Sequence, residues 1–153
     1  MKITIAAIGK EKHFSPTENL FREYKKRIPW MIEIKEFEER KSLPPALLME
    51  KEAEMLLTSV QPSSKVIVLD EGGKNISSEE FAKLIQKWQG QGSSNLAFLI
   101  GGASGHGKLV KERADFTLSL GKMTWPHMVV RAMLAEQLYR AFTILNNHPY
   151  HRG

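Results

Sequence analysis

The chain has 153 residues, 42% hydrophobic and 25% charged, with five histidines and no cysteine. That balance is ordinary for a globular domain, and it excludes disulfides, a thiol nucleophile and a cysteine-bound zinc site. The net charge of +5 permits a polyanionic partner without requiring one.

Residues 2–9, KITIAAIG, form an apolar, partly alternating run closed by glycine, which predicts a first strand. The opening stretch is too short and too alternating for a signal peptide. No apolar run approaches the ~20 residues that span a bilayer, so a single cytoplasmic domain over 1–153 is expected, with no membrane association. Ser15, Pro16 and Glu18 give three helix-start signals, and a helix is expected to about Ile28. Its exposed face carries Arg22, Lys25, Lys26 and Arg27. Residues 30–37 alternate and predict a second strand, and Pro44-Pro45 starts a helix to about Val60. Val66 to Leu69 are four consecutive apolar residues, three of them β-branched, a strand buried on both faces. Residues 71–74, EGGK, read as the loop leaving it. Ser77 and Glu80 offer a capping box for a helix with Phe81, Leu84, Ile85 and Trp88. Residues 96–100 form another buried strand, emptying into a glycine-rich loop over 101–107. A short helix near 108–113 and a strand near 116–120 follow. Pro126 then opens a long helix to about Leu145, apolar on most sides, which predicts one face in a core and another against a second subunit.

The resulting β-α-β-α-β-α-β-α-β-α order predicts an α/β fold with a mainly parallel sheet flanked by helices. Ligands in such sheets bind beyond the carboxyl ends of the strands. Three glycine-bearing loops leave strands there, after Leu69, Ile100 and Leu120, and they converge if their strands are neighbours. Residues 102–109, GASGHGKL, nearly match a phosphate-binding loop. Leu109 stands where that motif needs a magnesium-holding hydroxyl, and the acidic strand precedes the loop instead of following it. A nucleoside-triphosphatase is therefore the weaker reading. Pro149 between His148 and His151 argues against a helical metal-ligand pair, and no metal is expected. Arg140 can pair with Glu136 four residues earlier, a role as ordinary as any functional one.

Four ordered blocks carry a resemblance. Leu69-Asp70-Glu71-Gly72-Gly73-Lys74 leads to Ser77-Ser78-Glu79-Glu80-Phe81-Ala82, and Phe98-Leu99-Ile100-Gly101-Gly102 comes next. Met123-Thr124-Trp125-Pro126-His127 with Arg131 precedes Glu136-Gln137-Leu138-Tyr139-Arg140-Ala141 and the terminal Pro149-Tyr150-His151-Arg152. With these blocks the chain resembles the RlmH family of SPOUT methyltransferases over its whole length. Ser104 departs from the acidic or amide residue of many relatives, and His106-Gly107 after it is unusual. The resemblance implies an α/β knot whose C-terminal part, about 65–153, carries a trefoil knot and the cofactor site. It implies a homodimer that transfers a methyl group from S-adenosylmethionine to N3 of a pseudouridine in 23S rRNA of the assembled ribosome. The implied cofactor positions are Leu69, Gly102, Gly121, Lys122, Met123, Thr124, Trp125 and Pro126. Side-chain chemistry suggests how the tail would serve such a reaction. Tyr150 is suited to stacking on or hydrogen-bonding the nucleotide, Arg152 to pairing with phosphate or a developing anion, and His151 to acting as a base. Arg140 is suited to anchoring the tail or the RNA. The competing class is a ribosome-binding protein of the same fold without turnover.

Overall fold

A computed structural model describes residues 1–152 and divides into two compact units. The first comprises Met1–Lys10, Ile32–Asn75 and Ser94–Thr124; the second comprises Glu11–Met31, Ile76–Ser93 and Trp125–Gly153. The elements are β1 (Lys2–Ile8), α1 (Pro16–Lys25), β2 (Met31–Phe37), α2 (Pro45–Thr58), β3 (Lys65–Lys74), α3 (Ser78–Gly90), β4 (Asn95–Ile100), α4 (Lys108–Arg113), β5 (Phe116–Leu118) and α5 (His127–Leu145). Among the described residues no helix is long and apolar enough to cross a membrane.

The first unit holds a five-stranded sheet in the order β2-β1-β4-β3-β5. β4 pairs in parallel with β1 and β3, and β3 in parallel with β5. The Gly9 N–H donates to the Phe37 carbonyl at 2.7 Å, so β1 and β2 also end side by side. Val66 and Val68 of β3, Ala97 and Leu99 of β4 and Ala6 of β1 pack with Ala53 and Leu56 of α2 and Val110 of α4. The alternate residues Ile5, Ile67 and Phe98 are equally buried, as uninterrupted apolar runs predict. Each such large side chain contributes about 1.5–3 kcal/mol on burial.

Several boundaries differ from the sequence expectation: β5 stops at Leu118 and not Leu120, α2 at Thr58 and not Val60, and Pro126 caps α5 in place of opening it. Two further differences have clear physical reasons. β3 continues through the residues that read as a loop, because after a register shift Lys74 pairs again with Leu118, the partner of Leu69. Gly73 permits this close approach. A Cβ there would lie 2.6 Å from the Thr117 carbonyl oxygen, backbone that cannot give way. α1 ends at Lys25, short of Ile28. Arg27 and Ile28 donate to the carbonyls of Tyr24 and Lys25, a tightened last turn, and Pro29 biases Ile28 away from helix.

The second unit is helical, with α1 and α3 both packed on α5. Ser15 and Ser77 cap α1 and α3 by accepting from the N–H groups of Glu18 and Glu80. On α5, Leu134, Ala135, Leu138 and Ala141 are buried, and with them Arg131, a charged residue with 0% exposure. The Arg131 guanidinium faces the Glu11 carboxylate at 3.9 Å. Trp30 meets Phe142 edge-on at 5.6 Å between centroids. α5 closes in a Schellman motif. Asn147 takes the left-handed conformation at φ 54°, and the His148 N–H returns to the Thr143 carbonyl at 2.9 Å.

Candidate functional site

In the first unit the glycine-bearing loops after β4 and β5 flank β3, whose far end takes the place of the third expected loop, and side chains tie both loops to it. After β4, the buried His106 reaches back so that its Nε2–H donates to the Leu69 carbonyl at 2.9 Å. A carbonyl only accepts, so the bond fixes which ring nitrogen carries the proton in neutral His106. Gly101 makes room for this ring, since a Cβ there would lie 3.1 Å from its Cε1. After β5, the Ser119 N–H donates to the Lys74 carbonyl at 2.9 Å and Asn75 Nδ2 to the Ser119 carbonyl at 3.2 Å. The Thr124 hydroxyl donates to Glu71 at 2.8 Å. The Ser119 hydroxyl holds Gly121 by both its N–H and its carbonyl, at 3.1 and 3.0 Å.

The predicted cofactor positions in this unit therefore gather at one sheet edge. Leu69 is buried in the middle of β3, where its register against β5 shifts. Gly102 turns tightly, accepting from the Gly105 N–H at 3.0 Å. Gly121, at φ +111°, needs a residue without Cβ, and its Cβ position faces open space. Lys122, Met123 and Thr124 are exposed, Met123 by 74%. Trp125 and Pro126 belong to the second unit, where both are exposed and Pro126 caps α5. Open space at Gly121 beside an exposed apolar Met123 fits a nucleoside with one apolar face and one polar edge. The start of α4 does not fit a phosphate, because Gly107 is buried with its Cβ position 3.1 Å from the Met49 carbonyl.

Sequence reasoning missed Glu52. It is 7% exposed, its Oε1 has no hydrogen-bond partner, and a Cβ on Gly102 would lie 3.1 Å from its carboxylate. The available signal was an acid at the centre of the Leu48–Glu52–Leu56 spacing on α2. Burial pushes the Glu52 carboxyl above its ordinary range. The folded state thus holds this proton more tightly than the unfolded chain does. The resulting stability is full below the unfolded value and is lost as pH rises through the folded one. Glu52→Gln is expected to raise the melting temperature at neutral pH and to leave it unchanged below about pH 4. Thermal melts across that range check it; a Gln variant less stable at neutral pH would show a charged carboxylate held by a donor.

In the second unit the tail is bound to α5 and α3 by one hydrogen-bonded network. Glu136 Oε1 accepts from Arg140 Nε and from the Tyr150 hydroxyl, both at 3.0 Å. Arg140 also donates to His151 Nδ1 at 3.1 Å, and His151 Nε2–H donates to Glu79 at 2.8 Å. Gln137 donates to Glu136 and accepts from the Ser78 hydroxyl. The Arg140 guanidinium lies 4.8 Å from the Tyr150 ring centroid. Burial, then hydrogen bonds with Tyr24 and Glu136, push the Tyr150 hydroxyl far above its ordinary value, so it stays a neutral donor. Arg140 thus touches Tyr150 and His151 as well as Glu136. Both His151 nitrogens are engaged, and Arg152 is exposed.

The family model described as "Predicted SPOUT methyltransferase" matches residues 1–151. A protein of Paramagnetospirillum magneticum named Ribosomal RNA large subunit methyltransferase H is 51% identical, covering 99% of both chains. One of the same name from Rhodospirillum centenum is 46% identical over 100% of both, and one from Carboxydothermus hydrogenoformans is 44% identical over 99% of this chain and 100% of its own. A solved structure described as a probable methylase family protein from Haemophilus influenzae has the same fold. Its TM-score is 0.58 at 13% identity, covering 99% of this chain and 70% of that one. The chain belongs to the SPOUT methyltransferases, in the RlmH family of the relatives it matches end to end.

Proposed function

We propose that the protein methylates ribosomal RNA of the large subunit, using S-adenosylmethionine, with N3 of a pseudouridine in 23S rRNA as acceptor. The observation that carries the reading is that the loops after β4 and β5 are held to β3 at one end of the sheet by His106, Thr124 and Asn75. When bound, the cofactor supplies an electrophilic methyl group. Leu69 and Met123 offer it apolar surface, and Gly102 and residues 121–124 offer backbone donors and acceptors. Glu52 and His106 support Gly102 and Gly101 from behind, so the loop is shaped before anything binds. Methyl transfer depends on alignment, which preformed loops provide.

The acceptor nitrogen must lose its proton, and cations stabilise the resulting anion. Arg152 is the exposed cation for that role, and Arg140 keeps the tail in place. Tyr150 presents a ring and a neutral hydroxyl, while His151 acts as a base only after Arg140 releases its Nδ1 lone pair. The knotted C-terminal part, the homodimer and the assembled ribosome as substrate belong to the same reading.

Calorimetry with S-adenosylmethionine is expected to give a micromolar-range dissociation constant. Ribosomes from a strain lacking the protein are expected to gain one labelled methyl, located on the pseudouridine by mass analysis of nucleosides. Ribosome binding without heat from the cofactor and without label would favour the binding protein that lacks turnover.

A further inference from the structure

Phe14 is held in a position that serves no core. Its backbone lies in the left-handed region at φ 61°, where a bulky side chain is an outlier, yet its ring is 67% exposed. α1 fastens that backbone from both sides. The Phe14 N–H donates to the Glu18 carboxylate, and its carbonyl accepts from Asn19 Nδ2 at 3.4 Å. Glu18 also holds Arg22 Nε at 2.9 Å, and the Arg22 guanidinium stands 5.2 Å from the Phe14 centroid. The His13 ring leans on Phe14 at 4.2 Å. A strained backbone fixed by its neighbours, presenting an aromatic ring to water, points to a binding role.

The surroundings select the ligand. A depression of about 650 Å³ beside the ring is lined by Phe14, Asn19, Arg22, Lys25 and Lys26, with Glu23 as the acid among them. An aromatic ring next to several cations is the combination that binds unpaired nucleotides, the ring taking a base and the cations the adjoining phosphates. We infer that Phe14 is a stacking platform for an unpaired base of the RNA substrate, with Arg22, Lys25 and Lys26 tracking the backbone beside it. The inference rests on the RNA-substrate reading and adds to it a contact outside the cofactor loops.

The test uses the full chain with a short unpaired RNA carrying 2-aminopurine, whose fluorescence falls on stacking. Wild type is expected to quench it, and Phe14→Ala to bind about tenfold more weakly without quenching. Phe14→Trp should retain both. Phe14→Gly relieves the backbone strain, so it should melt no lower than wild type and still lose binding, which separates stacking from folding. Lys25→Glu with Lys26→Glu should flatten the salt dependence. Unchanged binding by Phe14→Ala overturns the inference. So does a Phe14→Ala defect confined to self-association or to ribosomal proteins, which would assign the ring to a protein partner. Methylation of ribosomes by wild type, run in parallel, fails only if the RNA-substrate reading itself is wrong.

Discussion

Arg131→Met is expected to lower stability by about 3–5 kcal/mol, the cost of leaving a buried ion without its counter-ion. Arg131 is fully buried on α5 and faces Glu11, whose side chain is 7% exposed. Glu11 also accepts from the hydroxyls of Ser15 and Thr17, so the same carboxylate organises the entry to α1. Removing the guanidinium takes away the cation that faces that carboxylate. For a chain of this length each kcal/mol shifts the melting temperature by about 2–4 °C, so a loss of roughly 6–20 °C is expected. The double variant Arg131→Met with Glu11→Gln should recover much of it, because an apolar side chain in place of an ion is often neutral once its partner is neutral too. Denaturant melts of the wild type, both single variants and the double variant give the coupling directly. A single-variant cost below about 1 kcal/mol, or no recovery, would show that the pair does not hold this region.

Removing residues 148–153 is expected to cut methyl transfer at least about 100-fold while cofactor affinity changes little. Misplacing a reacting group by an ångström is enough for such a loss. The tail is bonded through His148, Tyr150 and His151 to Thr143, Tyr24, Glu136, Arg140 and Glu79, and none of these is a predicted cofactor position. Arg140→Ala should reproduce much of the defect, since it releases His151 and uncovers one face of Tyr150. With both His151 nitrogens engaged, His151→Gln should slow the rate without altering the shape of its pH profile. Single-turnover transfer to ribosomes and calorimetry with the cofactor separate the two effects. Full-rate transfer by the truncated protein would remove the tail from the reaction.

The element order was legible because each signal was local. The apolar runs of β3 and β4, the Ser15 and Ser77 caps and the unbroken α5 pattern act within a few residues of themselves. Contacts made across the chain were not legible. Gly72-Gly73 reads as a turn, and only the returning β5 turns it into strand. The Arg140–Glu136 pair could be foreseen from its spacing of four, whereas the bond from His151 to Glu79 joins residues 72 apart. Phe14 gave no warning, since a phenylalanine in the left-handed region contradicts its own preference and depends on Glu18 and Asn19 to stay there.

The glycines of this chain would look alike in a map of tolerated substitutions, and the structure separates them. Intolerance at position 73 would come from collision with the Thr117 main chain, and no compensating side-chain change would rescue it. Intolerance of folding at position 121 would come from torsion, because no atom lies within 4 Å of a Cβ there. At position 102 the obstacles are the Ile8 and Glu52 side chains, so trimming both should restore alanine there. Suppressor screens at the three sites would therefore report three different causes behind one apparent requirement.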